Sequence, residues 1–370
     1  MNRFEDQAVP GVRRLQPYQP GKPIEELERE LGITNIIKLA SNENPLGPGA
    51  KAKAAVTAAS AELARYPDGN GFALKQRLAA RHGVDMVQIT LGNGSSDPLE
   101  FVVRALVQPG DEVIFSQHAF AMYPIVTRAA GGSAVVTPAR DWGHDLDAMR
   151  AAITARTRVI FIANPNNPTG TWLDGEALRA FIAAVPEHVV VVVDEAYFEY
   201  ASAPAMALDG YPDASRWLAD FPNLMVTRTF SKAWGLAGLR VGYGLSHPDL
   251  ADLMNRIRPP FNVNSVALAA AEAALDDVDH LAESIAVNVA GLRQLTTGLA
   301  ALGLDVIPSA GNFLSVRVGE KAMPVYERLL RAGIIVRPVE NYDMPGYVRI
   351  TVGLEEENQR CLDTLASILA

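Results

Sequence analysis

Residues 224–244 read Leu-Met-Val-Thr-Arg-Thr-Phe-Ser-Lys-Ala-Trp-Gly-Leu-Ala-Gly-Leu-Arg-Val-Gly-Tyr-Gly. An apolar strand pattern runs into a hydroxyl-bearing turn with one lysine, and Arg240 follows eight residues later. The chain has seven lysines, and Lys232 is the only one between Lys75 and Lys321. Alone, it would read as a surface lysine in a polar turn. Beside Thr229, Ser231 and Arg240 it has a second reading. An amine can form a Schiff base with an aldehyde, while hydroxyls and a guanidinium fork hold a dianionic phosphate.

Pyridoxal 5'-phosphate (PLP) carries both of those groups, and two further segments fit it. Residues 189–197 are Val-Val-Val-Val-Val-Asp-Glu-Ala-Tyr. Five consecutive valines are too few for a membrane span and suit a buried parallel strand. Open α/β sheets bind ligands at the carboxyl ends of their strands, where Asp194 falls. Facing a pyridine nitrogen, Asp194 would keep that ring protonated and make it an electron sink. Tyr197 would reach the ring's phenolic oxygen. A helix cap is the alternative for Asp194. Residues 159–170, Val-Ile-Phe-Ile-Ala-Asn-Pro-Asn-Asn-Pro-Thr-Gly, form a strand and then a turn stiffened by two prolines and a glycine. Asn167 there would donate to the same oxygen. An ordinary surface turn could use the same residues, but the order of the three segments, each after a strand, favours one shared site.

With these motifs on the page, the chain resembles the fold-type I PLP-dependent aminotransferases, and within them the histidinol-phosphate aminotransferase family. The resemblance extends from Leu-Gln-Pro-Tyr-Gln-Pro-Gly-Lys-Pro (15–23) and Leu-Ala-Ser-Asn-Glu-Asn-Pro-Leu-Gly (39–47) to Val-Arg-Ile-Thr-Val-Gly (348–353). It implies an α/β fold in which a large domain with a mainly parallel, helix-wrapped sheet carries a smaller C-terminal α/β domain. Residues 1–45 read as a Pro- and Gly-rich arm that partly joins the small domain, 46–262 as the PLP-binding domain and 263–370 as the small domain. A helical pattern runs from Ser265 towards Leu302 with a break near Asp276–Asp279. Strands are expected at Phe313–Val318, Ile334–Arg337 and Val348–Val352.

The turn Gly-Asn-Gly-Ser-Ser-Asp (92–97) lacks the third glycine of a dinucleotide fingerprint. It reads instead as a phosphate cup before a helix that starts at Asp97-Pro98-Leu99-Glu100. The resemblance implies that the Ser95 and Ser96 amides join Thr229, Ser231 and Arg240 around the phosphate. It places the Phe120 ring on the pyridine face, where many relatives carry tyrosine, and sends Tyr66 to the cofactor of a partner subunit. Tyr18, Arg337 and Arg349 would hold the substrate's acidic end. Each arginine has a surface reading too, although Arg349 lies inside an apolar strand and needs a partner there.

The implied reaction is transamination of L-histidinol phosphate with 2-oxoglutarate, giving imidazole-acetol phosphate and glutamate in histidine biosynthesis, by a homodimer. Competing readings are an aromatic-amino-acid aminotransferase, a phosphothreonine-type PLP decarboxylase and a non-catalytic PLP-binding protein. Composition excludes other classes. A formal charge of −9 and no basic run argue against nucleic-acid binding. The six histidines lack ligand spacing, so no metal site is expected, and no Gly-x-Ser-x-Gly elbow is present. The single cysteine, Cys361, and an N-terminus without an apolar signal core suggest a cytoplasmic protein with no membrane association.

Overall fold

The computed structural model describes residues 4–13, 15–18 and 20–370; the remaining residues of the arm lie outside it. A seven-stranded sheet is built from β1 (Ile89–Gly92), β2 (Glu112–Ser116), β3 (Ser133–Thr137), β4 (Thr157–Ala163), β5 (Val190–Asp194), β6 (Leu224–Thr229) and β7 (Gly242–Ser246). Their spatial order is β1-β7-β6-β5-β4-β2-β3. Only β7 is antiparallel to its neighbours.

The valine run explains why this sheet lies in the middle of the molecule. Strand side chains alternate between faces, so Val191 and Val193 enter one core while Val190 and Val192 enter the other. Complete burial of each such side chain contributes about 1.5–3 kcal/mol as an upper estimate. The helix Gly175–Ala184 lies on the first face, and helices Ser96–Leu106, Met122–Ala129 and Pro248–Ile257 on the second. Register aligns the strand ends that matter: Ala163 pairs with Asp194, and Asp194 with Thr227.

A second, antiparallel sheet contains β8 (Val306–Ile307), β9 (Phe313–Arg317), β10 (Arg337–Pro338) and β11 (Tyr347–Thr351), in the order β8-β9-β11-β10. Ile37 and Leu39 of the arm are buried in its core. The expected strand at 334–337 is two strands: Ile334–Ile335 pairs with Ile37–Lys38, whereas Arg337–Pro338 pairs with β11.

The helical break falls between Ser265–Ala274 and Val278–Ala301. Ser265–Ala274 lies within the first core. Its face of Ala267, Ala270, Ala271 and Ala274 is small enough to lie closely against Ala50–Ala59, within the first core. The longer helix spans both units, meeting Tyr197 and Ala233 through Leu281 and the second core through Leu292, Leu295 and Leu299. No helix among the described residues is long and apolar enough to cross a membrane.

Candidate active site

The carboxyl ends of β1, β2, β4, β5 and β6 feed loops into one cavity between the two sheets. It is lined by Ser95, Ser96, Phe120, Asn167, Asp194, Tyr197, Thr229, Ser231, Lys232 and Arg240, together with Tyr18, Arg337 and Arg349. The structure therefore brings together every residue singled out from the sequence except Tyr66. That side chain is 82% exposed and stacks on Phe261 with ring centroids 4.7 Å apart.

Asp194 ends β5 on the face that carries Val190 and Val192. Its Oδ1 accepts the Thr227 hydroxyl at 2.9 Å, and its Oδ2 accepts the Tyr123 hydroxyl at 2.9 Å. Burial raises its pKa, opposed by these two bonds and by the Ala196 N–H. The carboxylate is thus buried and held in place by neutral hydroxyls, an arrangement that leaves room for a cationic ligand atom. Tyr123 stacks on Phe161 at 4.5 Å and meets the Phe120 ring edge-on at 5.9 Å.

Lys232 follows β6 and is half-buried, its Nζ donating to the Ser41 carbonyl at 3.2 Å. Loss of solvation, then the nearby Arg349 and Arg240 charges, lower its pKa to about 7. A large fraction of this amine is therefore neutral near neutral pH, as a nucleophile or base requires.

One end of the cavity gathers a helix N-terminus, hydroxyls and a guanidinium. Ser95 is the N-cap of Ser96–Leu106 and makes no side-chain cap bond, so the helix begins one residue before the expected Asp97 and its end stays open. Asp97 instead accepts the Asn93 N–H. Gly94 has φ +85°, and a β-carbon there would lie 2.6 Å from the Arg240 guanidinium. The left-handed backbone favours glycine there, and a β-carbon would have to displace the Arg240 side chain. Arg240 also reaches the Ser231 hydroxyl at 3.4 Å, and the Thr229 hydroxyl accepts the Ser231 N–H at 3.1 Å.

Arg349 lies at the other end. It donates to Asn167 Oδ1 and to the Ala40 carbonyl, while its buried Nε has no partner among the described residues. With Oδ1 engaged, Asn167 keeps its amide nitrogen as a donor. Arg337 donates to the Pro20 carbonyl at 2.9 Å. Tyr197 accepts from Asn42 Nδ2 at 2.8 Å, and burial raises its pKa, so its own proton remains available for donation. Among the described lining residues, Asp194 is the one acid, against Lys232, Arg240, Arg337 and Arg349.

Sequence reading missed Ser41, Asn42, Tyr123 and Thr227. Thr227 could have been found, because it sits two residues before Thr229 on the same strand face. Tyr123 lies one helical turn beyond Phe120, but nothing local indicates that it reaches Asp194.

Comparison with known proteins agrees with this geometry. The model of the family "Aminotransferase class I and II" matches residues 34–365. Histidinol-phosphate aminotransferase 2 of Pseudomonas fluorescens is 60% identical, covering 98% of this chain and 97% of that protein. Histidinol-phosphate aminotransferase 1 of Nitrosococcus oceani is 58% identical over 99% and 98% of the two chains. Among solved structures, histidinol-phosphate aminotransferase from Sinorhizobium meliloti, in complex with pyridoxal-5'-phosphate, superposes with a TM-score of 0.86 at 32% identity, covering 100% and 97%. By sequence, fold and the chemistry its cavity can support, the chain belongs to the class I and II aminotransferase family, with the histidinol-phosphate aminotransferases.

Proposed function

We propose that the chain is a PLP-dependent transaminase that moves the amino group of L-histidinol phosphate to 2-oxoglutarate, giving imidazole-acetol phosphate and L-glutamate in histidine biosynthesis. The observation that carries this reading is the pairing, in one cavity, of a buried carboxylate held by neutral hydroxyls and a backbone N–H with a lysine whose pKa is lowered to about 7. The residues present fit PLP at both ends. A ring-nitrogen cation would satisfy Asp194, and a phosphate would meet the open helix end, Ser231 and Arg240.

When bound, PLP supplies an electron sink that stabilises negative charge on the substrate carbon. The protein's own groups do the rest. Lys232 would anchor the cofactor and, once displaced by the substrate amine, its neutral amine would take the proton from the substrate carbon bearing the amino group and deliver it to the cofactor carbon that had carried the aldehyde. Asp194 holds a proton at the ring nitrogen. Asn167 and Tyr197 donate to the phenolic oxygen, and Phe120 covers the ring and excludes water. The Nε of Arg349, without a partner among the described residues, together with Arg337 and Tyr18, supports recognition of an anion on the substrate: the phosphate of one partner, a carboxylate of the other.

We also read the enzyme as a cytoplasmic homodimer. The exposed Tyr66, remote from its own chain's cavity, supports a role at the partner's cofactor.

The test is a panel of half-reactions. PLP-loaded enzyme is mixed in turn with histidinol phosphate, histidinol, phenylalanine, tyrosine and phosphothreonine, and absorbance and products are followed. Histidinol phosphate should convert fastest, and histidinol should be poorer by roughly tenfold or more, the value of a lost charge-assisted contact. Rapid conversion of phenylalanine with little from histidinol phosphate would make the enzyme an aromatic aminotransferase. Carbon dioxide from phosphothreonine would make it a decarboxylase.

A further inference from the structure

Strands β5 and β6 carry groups of opposite kinds on their two faces. Asp194, Thr227 and Thr229 serve the cavity. The next side chains along, Glu195 and Arg228, turn to the other face and meet there. Arg228 donates twice to Glu195 Oε2, from Nε at 2.9 Å and from an Nη at 2.7 Å, and that Nη also reaches Asp213 at 2.6 Å. Glu195 Oε1 accepts the Ala214 N–H at 3.0 Å. The guanidinium lies 3.4 Å over the Phe198 ring. The Arg228 and Glu195 side chains are 3% and 0% exposed.

A third carboxylate extends this buried group to the lysine turn. Glu199 accepts Trp234 Nε1–H at 3.1 Å, two residues beyond Lys232, and its Oε2 has no partner among the described residues. Arg81 lies over the same Trp234 ring at 5.4 Å. Asp194, Thr227, Thr229 and Lys232 therefore each lie within two residues of a member of the group.

Buried ion pairs are a poor source of stability, because desolvating two charges costs about as much as their attraction returns, and well-packed apolar residues often do as well. Two guanidinium donors converging on one carboxylate oxygen, whose partner oxygen is held by a backbone N–H, do impose direction and spacing. Here the spacing fixed is that between the ends of two adjacent strands, the distance that sets Asp194 against the phosphate-side hydroxyls.

We propose that Arg228 and Glu195 are positioning residues. Acting from the face of the sheet away from the cavity, and touching neither cofactor nor substrate, they hold Asp194, Thr227 and Thr229 at the separation that PLP requires. This rests on the reading of the cavity as a PLP site.

The test measures PLP affinity by titrating apoenzyme, and the visible circular dichroism of the bound cofactor, for wild type, Arg228→Lys and Glu195→Gln. Leu250→Ala, in the helix on the far side of the sheet, serves as a control for general loss of stability, with thermal midpoints recorded for all. Arg228→Lys keeps the charge but loses the fork, and Glu195→Gln keeps the shape but loses the charge. Both should weaken PLP binding by about tenfold or more, the effect of losing a charge-assisted bond, and alter the dichroic band. Leu250→Ala should leave both readouts near wild type despite a comparable fall in thermal midpoint. If Arg228→Lys does not fold, Glu195→Gln carries the comparison alone. Affinity and dichroism unchanged in the folded variants, or equally changed in Leu250→Ala, would overturn the proposal. Failure of the wild type to bind PLP would instead remove the proposed function.

Discussion

In the proposed reaction two titratable side chains carry the chemistry, and burial pushes both towards their neutral forms. Asp194 is buried, yet two hydroxyls and a backbone N–H favour its ionised form. Asp194→Asn preserves size and much of the hydrogen bonding while removing the charge that holds a proton on the cofactor ring. Turnover should fall by several orders of magnitude with fold and PLP content largely kept. If activity drops only in proportion to thermal stability, Asp194 is a structural cap. Lys232 moves the other way, its pKa lowered from 10.5 to about 7. Below pH 7 its amine is protonated in the folded protein and cannot attack, so capture of PLP by apoenzyme should accelerate as pH rises through about 7 and then level off. The same shift destabilises the fold most below pH 7. That penalty fades between 7 and 10.5, where an unfolded lysine is still charged but the folded one is not. Stopped-flow capture rates across this range check the first statement, and a midpoint near 10 would contradict it.

At the level of strands and turns, legibility varied with how local the cause was. The valine run announced β5 because a strand buried on both faces has no polar alternation. The turn 164–170 announced itself through prolines and glycine. By contrast, residues 334–337 read as one strand, and only the arrival of Ile37–Lys38 beside Ile334–Ile335 divides it in two. Tyr123 and Asn42 were equally hidden, since each acts on a residue more than seventy positions away in the chain. The cup at 92–96 was readable because glycine spacing is local. Gly94→Ala tests it: φ +85° and the Arg240 guanidinium both oppose a β-carbon. The variant should lose about 1 kcal/mol or more of stability and bind PLP more weakly, measured by titration of apoenzyme. Unchanged PLP affinity would move the phosphate elsewhere.

Over the whole molecule, two sheets with separate cores meet at the cavity. One supplies Asp194, Lys232, Ser95 and Arg240, and the other supplies Arg337 and Arg349. A pattern of strands and helices makes that architecture readable, because each sheet needs its own apolar layers. Where one unit ends was less readable. The alanine-rich helix Ser265–Ala274 carries no sequence mark of the core it joins, since small residues fit against either. Tyr66 has its proposed place only in a second subunit, which a single chain cannot display. The central claim is that one lysine of the seven, at the junction of these two units, is the cofactor's covalent anchor. The direct measurement is borohydride reduction of the PLP-loaded protein, followed by proteolysis and mass mapping of every lysine. A pyridoxyl group on Lys232 alone is predicted; a label on any other lysine, or none on Lys232, would contradict it.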